Sequence, residues 1–235
     1  MAAIGCATRP PRCYQIHVAA RISTLIVTVA LLAMSSPASA DPGLVIDASA
    51  WRFMKGESGP VNYYSAMSED GTRFVRARYV PPMKTSVLGY AVSDADRRLV
   101  KKLKWTWRAI TLPAGGDECA SGREDSAAVV YVTWKRGLRY YSLKYVWSAV
   151  GKKGSICGSK RNPFVAQDTI IVESGGPLGV WRSVEIDLAH HFRHHFENDD
   201  QNASVPDFVG VAIMTDGDQT HSESAADYGP FVVIR

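Results

Sequence analysis

The sequence predicts an all-β fold, an antiparallel two-sheet β-sandwich that is jelly-roll-like and has little helix. Three observations point to it. Short runs with two-residue alternation of apolar and polar side chains recur at fairly regular intervals, clusters of turn residues separate them, and only two short stretches read as helix. Ten or more such strands with so little helix bury their apolar faces by packing two antiparallel sheets together, and the jelly roll is the expected topology.

Residues 44–48 and 61–67 open the mature chain as weaker strand candidates. In 72–80, Val75, Ala77 and Tyr79 share one face opposite Arg76 and Arg78. Residues 85–91 form a third weaker strand, and 94–102 read as one short helical turn. The clearest strand is 103–110, where Leu103, Trp105, Trp107 and Ala109 face one way and Lys104, Thr106 and Arg108 the other. Residues 127–134, rich in Val and aromatics, end at Lys135-Arg136-Gly137, and the next run, 138–148, aligns Tyr141, Leu143, Tyr145 and Trp147. A strand over 168–174 ends at Gly175-Gly176-Pro177. The run 180–188 sets Val184, Ile186 and Leu188 against Trp181, Ser183, Glu185 and Asp187, and a short helix over 189–197 follows it. Strands over 208–215 and 228–234 complete the set.

The N-terminus is of another kind. Residues 1–40 contain no Asp or Glu; Arg9, Arg12 and Arg21 precede an uncharged run from Ile22 to Met34, and Ala38-Ser39-Ala40 closes the segment. A basic start, a short apolar run and a small-x-small end are the parts of a secretory signal. The run is shorter than the roughly 20 residues a bilayer span needs, so no membrane span is expected to be retained. Cleavage after Ala40 leaves 41–235 as one domain, periplasmic or secreted. The leader holds three of the 27 basic residues and none of the 23 acids, so its removal takes the net charge from +4 to about +1. A nearly neutral domain argues against a nucleic-acid partner. The leader also carries Cys6 and Cys13, which leaves Cys119 and Cys157 as an expected disulfide in an oxidising compartment.

Several strands also spell a pattern. Leu103-Lys104-Trp105-Thr106-Trp107-Arg108, Tyr145-Val146-Trp147, Val172-Glu173-Ser174-Gly175, the segment from Val211 to Thr220 with its Met214-Thr215-Asp216-Gly217-Asp218, and Ala225-Ala226-Asp227-Tyr228-Gly229 come in a set order. In this order they resemble a bacterial exported family, domain of unknown function 3047, from about Trp51 to the end. The resemblance implies export and a β-sandwich like those of carbohydrate-binding modules, and it assigns no catalytic residue. The stretch after Glu185, usually acidic and arginine-rich in that family, here holds His190-His191-Phe192-Arg193-His194-His195.

Four groups of residues are candidate sites. Trp105, Trp107, Tyr141, Tyr145 and Trp147 are either sandwich core or a platform for sugar rings. The strand-borne Arg76, Arg78, Arg108, Trp181 and Glu185 are candidate ligand-binding residues, and Glu173 with Glu185 are the carboxylates a glycosidase would need; the alternative for these charges is a solvated sheet face crossed by cross-strand ion pairs. Asp216, Asp218 and Asp227 either form a loop in which Asp and Thr side chains satisfy backbone groups, the expected reading, or offer oxygen ligands for a structural Ca²⁺; no other cofactor is expected. His190 and His194, like His191 and His195, are four apart and share a helix face, where two imidazoles hold Zn²⁺ or Cu²⁺ only loosely and a proper site wants a third and fourth ligand, so adventitious surface binding or none is expected. The sequence lacks a Gly-x-Ser-x-Gly elbow, a phosphate-binding Gly loop and a dinucleotide fingerprint. The expected function is an exported, non-catalytic sandwich that binds a carbohydrate or another cell-envelope component. The alternatives are a polysaccharide-acting enzyme using Glu173 and Glu185, or a structural protein of the envelope.

Overall fold

The computed structural model describes residues 43–54 and 60–235, so the expected leader over 1–40 lies outside the described residues. The described chain runs β1 (Leu44–Ile46), a 3₁₀ turn (Ala48–Ala50), β2 (Arg52–Phe53), β3 (Tyr63–Glu69), β4 (Thr72–Tyr79), β5 (Val87–Ala91), β6 (Lys102–Thr111), β7 (Ala128–Arg136) and β8 (Arg139–Ser148). It continues with β9 (Ile156–Arg161), β10 (Val165–Ser174), β11 (Arg182–Asp187), α1 (Leu188–Phe196), β12 (Asp207–Met214) and β13 (Ser224–Ile234). Among the described residues no helix is long and apolar enough to cross a membrane.

The strands form two sheets. A six-stranded sheet runs β11-β6-β13-β4-β3, with β1 paired to the far half of β13, and a seven-stranded sheet runs β2-β5-β12-β7-β8-β10-β9. Three antiparallel pairs are nested: β4 with β13, β5 with β12, and β6 with β11. The chain thus behaves as one long hairpin whose paired arms cross between sheets together, which is the jelly-roll arrangement. Local turn chemistry fixes its hairpins. Asp70 and Gly71 both have positive φ between the paired Glu69 and Thr72, a type I′ geometry, and Gly137 has positive φ at the first central position between Arg136 and Arg139.

The core lies between the sheets. Leu103, Trp105, Trp107 and Ala109 of β6 point inward, as do Val130, Val132 and Trp134 of β7 and Tyr141, Leu143, Tyr145 and Trp147 of β8. Trp105 meets Trp107 edge-on at 5.9 Å and stacks on Phe231, and Trp107 meets Trp147 edge-on at 5.9 Å. The five aromatics that the sequence left between core and platform are core.

The architecture departs from expectation in three details. β8 and β10 pair in parallel, because β9 passes the place beside β8 and the chain turns back to fill it with β10. β9 itself, in a stretch where no strand is expected, is an edge strand with a register irregularity near Gly158. The expected helical turn near 94–102 is a run of turns, anchored by the Ser93 and Asp96 carbonyls, and Lys102 already belongs to β6. That segment buries only Val100 well, so no apolar face holds it as a helix.

Candidate functional site

The outer face of the six-stranded sheet gathers most of the expected ligand-binding residues. Phe74, Arg76 and Arg78 alternate with the inward side chains of β4, and Asp227 stands opposite Arg76 on one side and Arg108 on the other. Asp227 has no solvent exposure, and it accepts two hydrogen bonds from Arg76 at 2.7 and 2.8 Å and one from Arg108 at 2.7 Å. Arg108 also reaches Glu69 at 2.5 Å. Its guanidinium lies 4.5 Å above the Trp181 ring, which meets Phe74 edge-on at 5.6 Å. The Trp181 ring comes so near Gly229 that a Cβ there would meet it at 3.0 Å. Arg78 pairs with Glu223 at the rim, and Glu185 with Lys102 further along the same face. The charges on this face are therefore directed at one another, with Trp181 capped by Arg108.

Glu173 and Glu185 are not brought together. Glu173 lies on β10 of the seven-stranded sheet and pairs with Lys153, whereas Glu185 lies on β11 of the other sheet. Two carboxylates of a glycosidase flank one scissile bond, and these two face no common cleft.

The expected calcium ligands divide. Asp227 belongs to the arginine cluster, because its side chain points out of the six-stranded sheet. Asp216 and Asp218 lie beyond the end of β12, where Asp125 joins them with carboxylate atoms within 4.8 Å of one another. This gives three of the six to eight oxygens that Ca²⁺ takes. Asp125 accepts from the Gln219 and Thr220 N–H groups, and Asp216 from Ser126 N–H at 2.8 Å. Burial pushes the Asp216 carboxyl well above the ordinary range, and burial followed by the charge of Asp125 raises that of Asp218. Next to them Lys144 pairs with Glu118 at 2.6 Å, which Ser126 also bonds at 2.7 Å. Burial alone would lower the Lys144 ammonium; Tyr131, Glu118 and Asp216 outweigh it and hold it above the usual lysine value. Cys119 follows Glu118 directly and is disulfide-bonded to Cys157 of β9, as expected.

The short helix α1 begins at Asp187, whose side chain caps it by accepting from His190 N–H at 2.8 Å. Its buried residues are Leu188 and Phe192, which leaves the four histidines along its other sides. His191 Nδ1 meets the Tyr145 hydroxyl at 2.9 Å, His195 Nδ1 the buried Asp168 at 3.1 Å, and His194 Nδ1 both oxygens of Asp199 at 3.0 and 3.1 Å.

A feature that the sequence reading missed lies on the outer face of the seven-stranded sheet. Strand register sets two rows of outward residues across six strands. One is Ala91, Gly210, Thr133, Ser142, Gln167 and Lys160; the other is Gly89, Ala212, Tyr131, Lys144, Thr169 and Cys157. At the β5–β12 end every outward residue of these rows is Gly or Ala, so the surface dips there, with the Met54 side chain lying over Gly89. A depression of about 530 Å³ has Phe53, Met54 and Tyr140 on its walls. It adjoins a second of about 340 Å³ between Met54, Tyr131, Thr133 and Ser142, and a third of about 390 Å³ lies by Lys144, Lys160 and Gln167. Phe53 is 60% exposed and Tyr140 43%, and the buried Thr85 hydroxyl beside the second hollow has no hydrogen-bond partner among the described residues. With strands about 4.8 Å apart, the six span roughly 24 Å. The sequence signal is small residues two apart, Gly89-x-Ala91 and Gly210-x-Ala212, in strands that pair with each other.

Solved structures similar to this chain include the family 11 carbohydrate-binding module from Clostridium thermocellum in complex with a β-1,3-1,4-mixed-linked tetrasaccharide. It has 11% identity and a TM-score of 0.40, over 80% of this chain and 94% of that one. The xyloglucanase domain of NopAA, a type three effector from Sinorhizobium fredii, in complex with cellobiose, has 9% identity and a TM-score of 0.43, over 83% and 98%. No curated protein matches the sequence. The sequence itself is more specific: residues 49–232 match the family described as protein of unknown function (DUF3047), and the chain belongs to that family.

Proposed function

We propose that this protein is an exported, non-catalytic carbohydrate-binding sandwich whose ligand is an extended glycan laid across the outer face of the seven-stranded sheet. The observation that carries this reading is the pair of rows crossing six strands. Their Gly and Ala floor leaves room for a ring, and the exposed Phe53 and Tyr140 offer apolar faces for stacking. Thr133, Ser142 and Gln167 offer hydroxyl and amide groups to sugar hydroxyls. A mostly apolar hollow with a few placed polar groups suits such ligands, and aromatic stacking costs little side-chain entropy. The outer face of the other sheet has Arg76, Arg108 and Trp181 already engaged with Asp227, Glu69 and one another, and Arg78 with Glu223. The leader motivates a periplasmic or secreted location, with a polysaccharide or another envelope glycan as the partner.

The test is affinity electrophoresis against bacterial and plant polysaccharides. Tyr140→Ala, which removes a stacking wall, and Ala212→Phe, which fills the floor, should each weaken binding at least about tenfold. Trp181→Ala and Arg108→Ala, on the other sheet, should leave it unchanged. Binding by no polysaccharide, or loss through Trp181 and Arg108 but not through Tyr140 and Ala212, overturns the assignment.

A further inference from the structure

The four imidazoles of α1 play no part in the groove. His190 and His194 lie one turn apart on an exposed side of the helix, their rings 6.3 Å apart and within 17° of parallel. Among the described residues no hydrogen bond engages either ring nitrogen of His190. His194 is held differently: both oxygens of Asp199 accept from Nδ1, at 3.0 and 3.1 Å. That contact keeps the proton on Nδ1 and leaves the Nε2 lone pair free. A histidine whose other nitrogen donates to a carboxylate is the arrangement that raises imidazole basicity and fixes its orientation toward a metal. The helix ends at Phe196; its C-cap Glu197 pairs with Arg136, and Asp199 and Asp200 follow on the exposed turn beyond it. The neighbouring pair, His191 and His195, has its Nδ1 atoms turned to Tyr145 and the buried Asp168, and is less exposed.

We propose that His190 and His194 form a surface site for a late first-row divalent metal ion, bound through two imidazole nitrogens with Asp199 orienting His194. The rings are exposed enough to tip toward one another, as two metal–nitrogen bonds of about 2.0–2.1 Å require. Water fills the remaining positions, so the site binds in the micromolar range or weaker and follows the general order for nitrogen ligands, with Cu²⁺ tighter than Ni²⁺ or Zn²⁺.

The experiment is calorimetric titration of tag-free, full-length protein with CuCl₂, NiCl₂ and ZnCl₂ at neutral pH. It is paired with copper EPR, in which nitrogen hyperfine coupling reports imidazole ligation. The expected result is Cu²⁺ binding with coupling from two nitrogens. It should weaken at least about tenfold in His190→Ala and in His194→Ala, and about tenfold in Asp199→Asn. His221→Ala should bind as the unaltered protein does. All four positions are exposed, and unchanged melting temperatures confirm that each variant folds. Absence of sub-millimolar Cu²⁺ binding overturns the proposal. So does an affinity that His190→Ala and His194→Ala leave unchanged, or one that Asp199→Asn leaves unchanged.

Discussion

At the scale of single residues, the structure places charge where its protonation state and its partners matter. Asp227 is fully buried and takes three hydrogen bonds from two arginines, Arg76 at 38% and Arg108 at 11% side-chain exposure. Removing one member of such a cluster leaves the others desolvated without their acceptor. Asp227→Ala is therefore expected to cost about 2–3 kcal/mol, below the fully buried case because Arg76 stays partly hydrated and Arg108 keeps Glu69. Urea denaturation should show the lower midpoint at unchanged slope. Asp218 works in the opposite sense. Its carboxyl is raised by burial and by Asp125, so the folded state binds its proton more tightly than the unfolded chain does. That contribution to stability is present below the ordinary carboxylate range and is lost as pH rises through the folded value. Asp218→Asn is accordingly expected to melt higher than the unaltered protein at pH 7 in EDTA, with the gain disappearing toward pH 4, as thermal melts at both pH values will read.

At the scale of elements, helix α1 carries a pH response that its histidines make calculable. Burial, and then the neighbouring His195, His190 and His194, lower His191 to about 4, with Asp187 opposing. The ring packs beside Tyr145, whose hydroxyl it bonds. A histidine depressed from its ordinary 6.5 is neutral in the fold, so its stabilising contribution is complete above that value and is lost as pH falls through about 4. The effect is on the order of 1–2 kcal/mol once the partial exposure of the ring is allowed for. His191→Gln keeps a partner for Tyr145 and cannot titrate. Its urea midpoint should fall less between pH 7 and 4 than that of the unaltered protein, with a residual slope from His195, which burial also lowers. Elements of this kind differ in how plainly the sequence announces them. β6, β8 and α1 were legible because alternation or an i,i+4 pattern persists over a full element and one face meets the core. β9 was not: it is an edge strand of mostly exposed polar residues around Gly158, where no buried face imposes a period. The arginine face was legible as well, since Arg76, Arg78 and Arg108 sit opposite obvious core residues. That it closes on Asp227, and that Asp125 replaces Asp227 beside Asp216, depends on partners 90 to 151 positions apart in sequence. The groove was hidden for a related reason, because its floor consists of missing side chains in strands β5 and β12 that only the jelly roll makes neighbours.

At the scale of the whole molecule, one covalent link ties the long loop after β6 to the far edge of the seven-stranded sheet. Cys119 and Cys157 are 38 residues apart. The loop between β6 and β7 brings Glu118 onto Lys144, and Asp125 under the Gln219 and Thr220 N–H groups, so its buried charges depend on its staying down. In the unfolded chain the bridge forbids conformations in which the two cysteines are far apart, worth about 4 kcal/mol for a loop of this length. In the folded chain it holds Cys119 beside Lys160 and Gln167, at the charged end of the proposed glycan groove, where Glu124 and the Lys144–Glu118 pair also line the hollow. Reduction is therefore expected to lower the guanidinium midpoint by an amount equivalent to roughly 3–4 kcal/mol. Titration of the oxidised folded protein should find neither of these two thiols free. The same treatment separates the two ends of the groove. A glycan that rests mainly on Phe53, Tyr140 and the Gly–Ala floor keeps most of its affinity after reduction under conditions where the protein stays folded. One that rests on the loop's own Ser121 and Glu124, beside Lys160 and Gln167, loses it as the loop lifts. Affinity electrophoresis of oxidised and reduced protein, read beside Tyr140→Ala, distinguishes them, and the placement of every exposed aromatic of the groove at the β2–β5 and β8 side favours the first outcome.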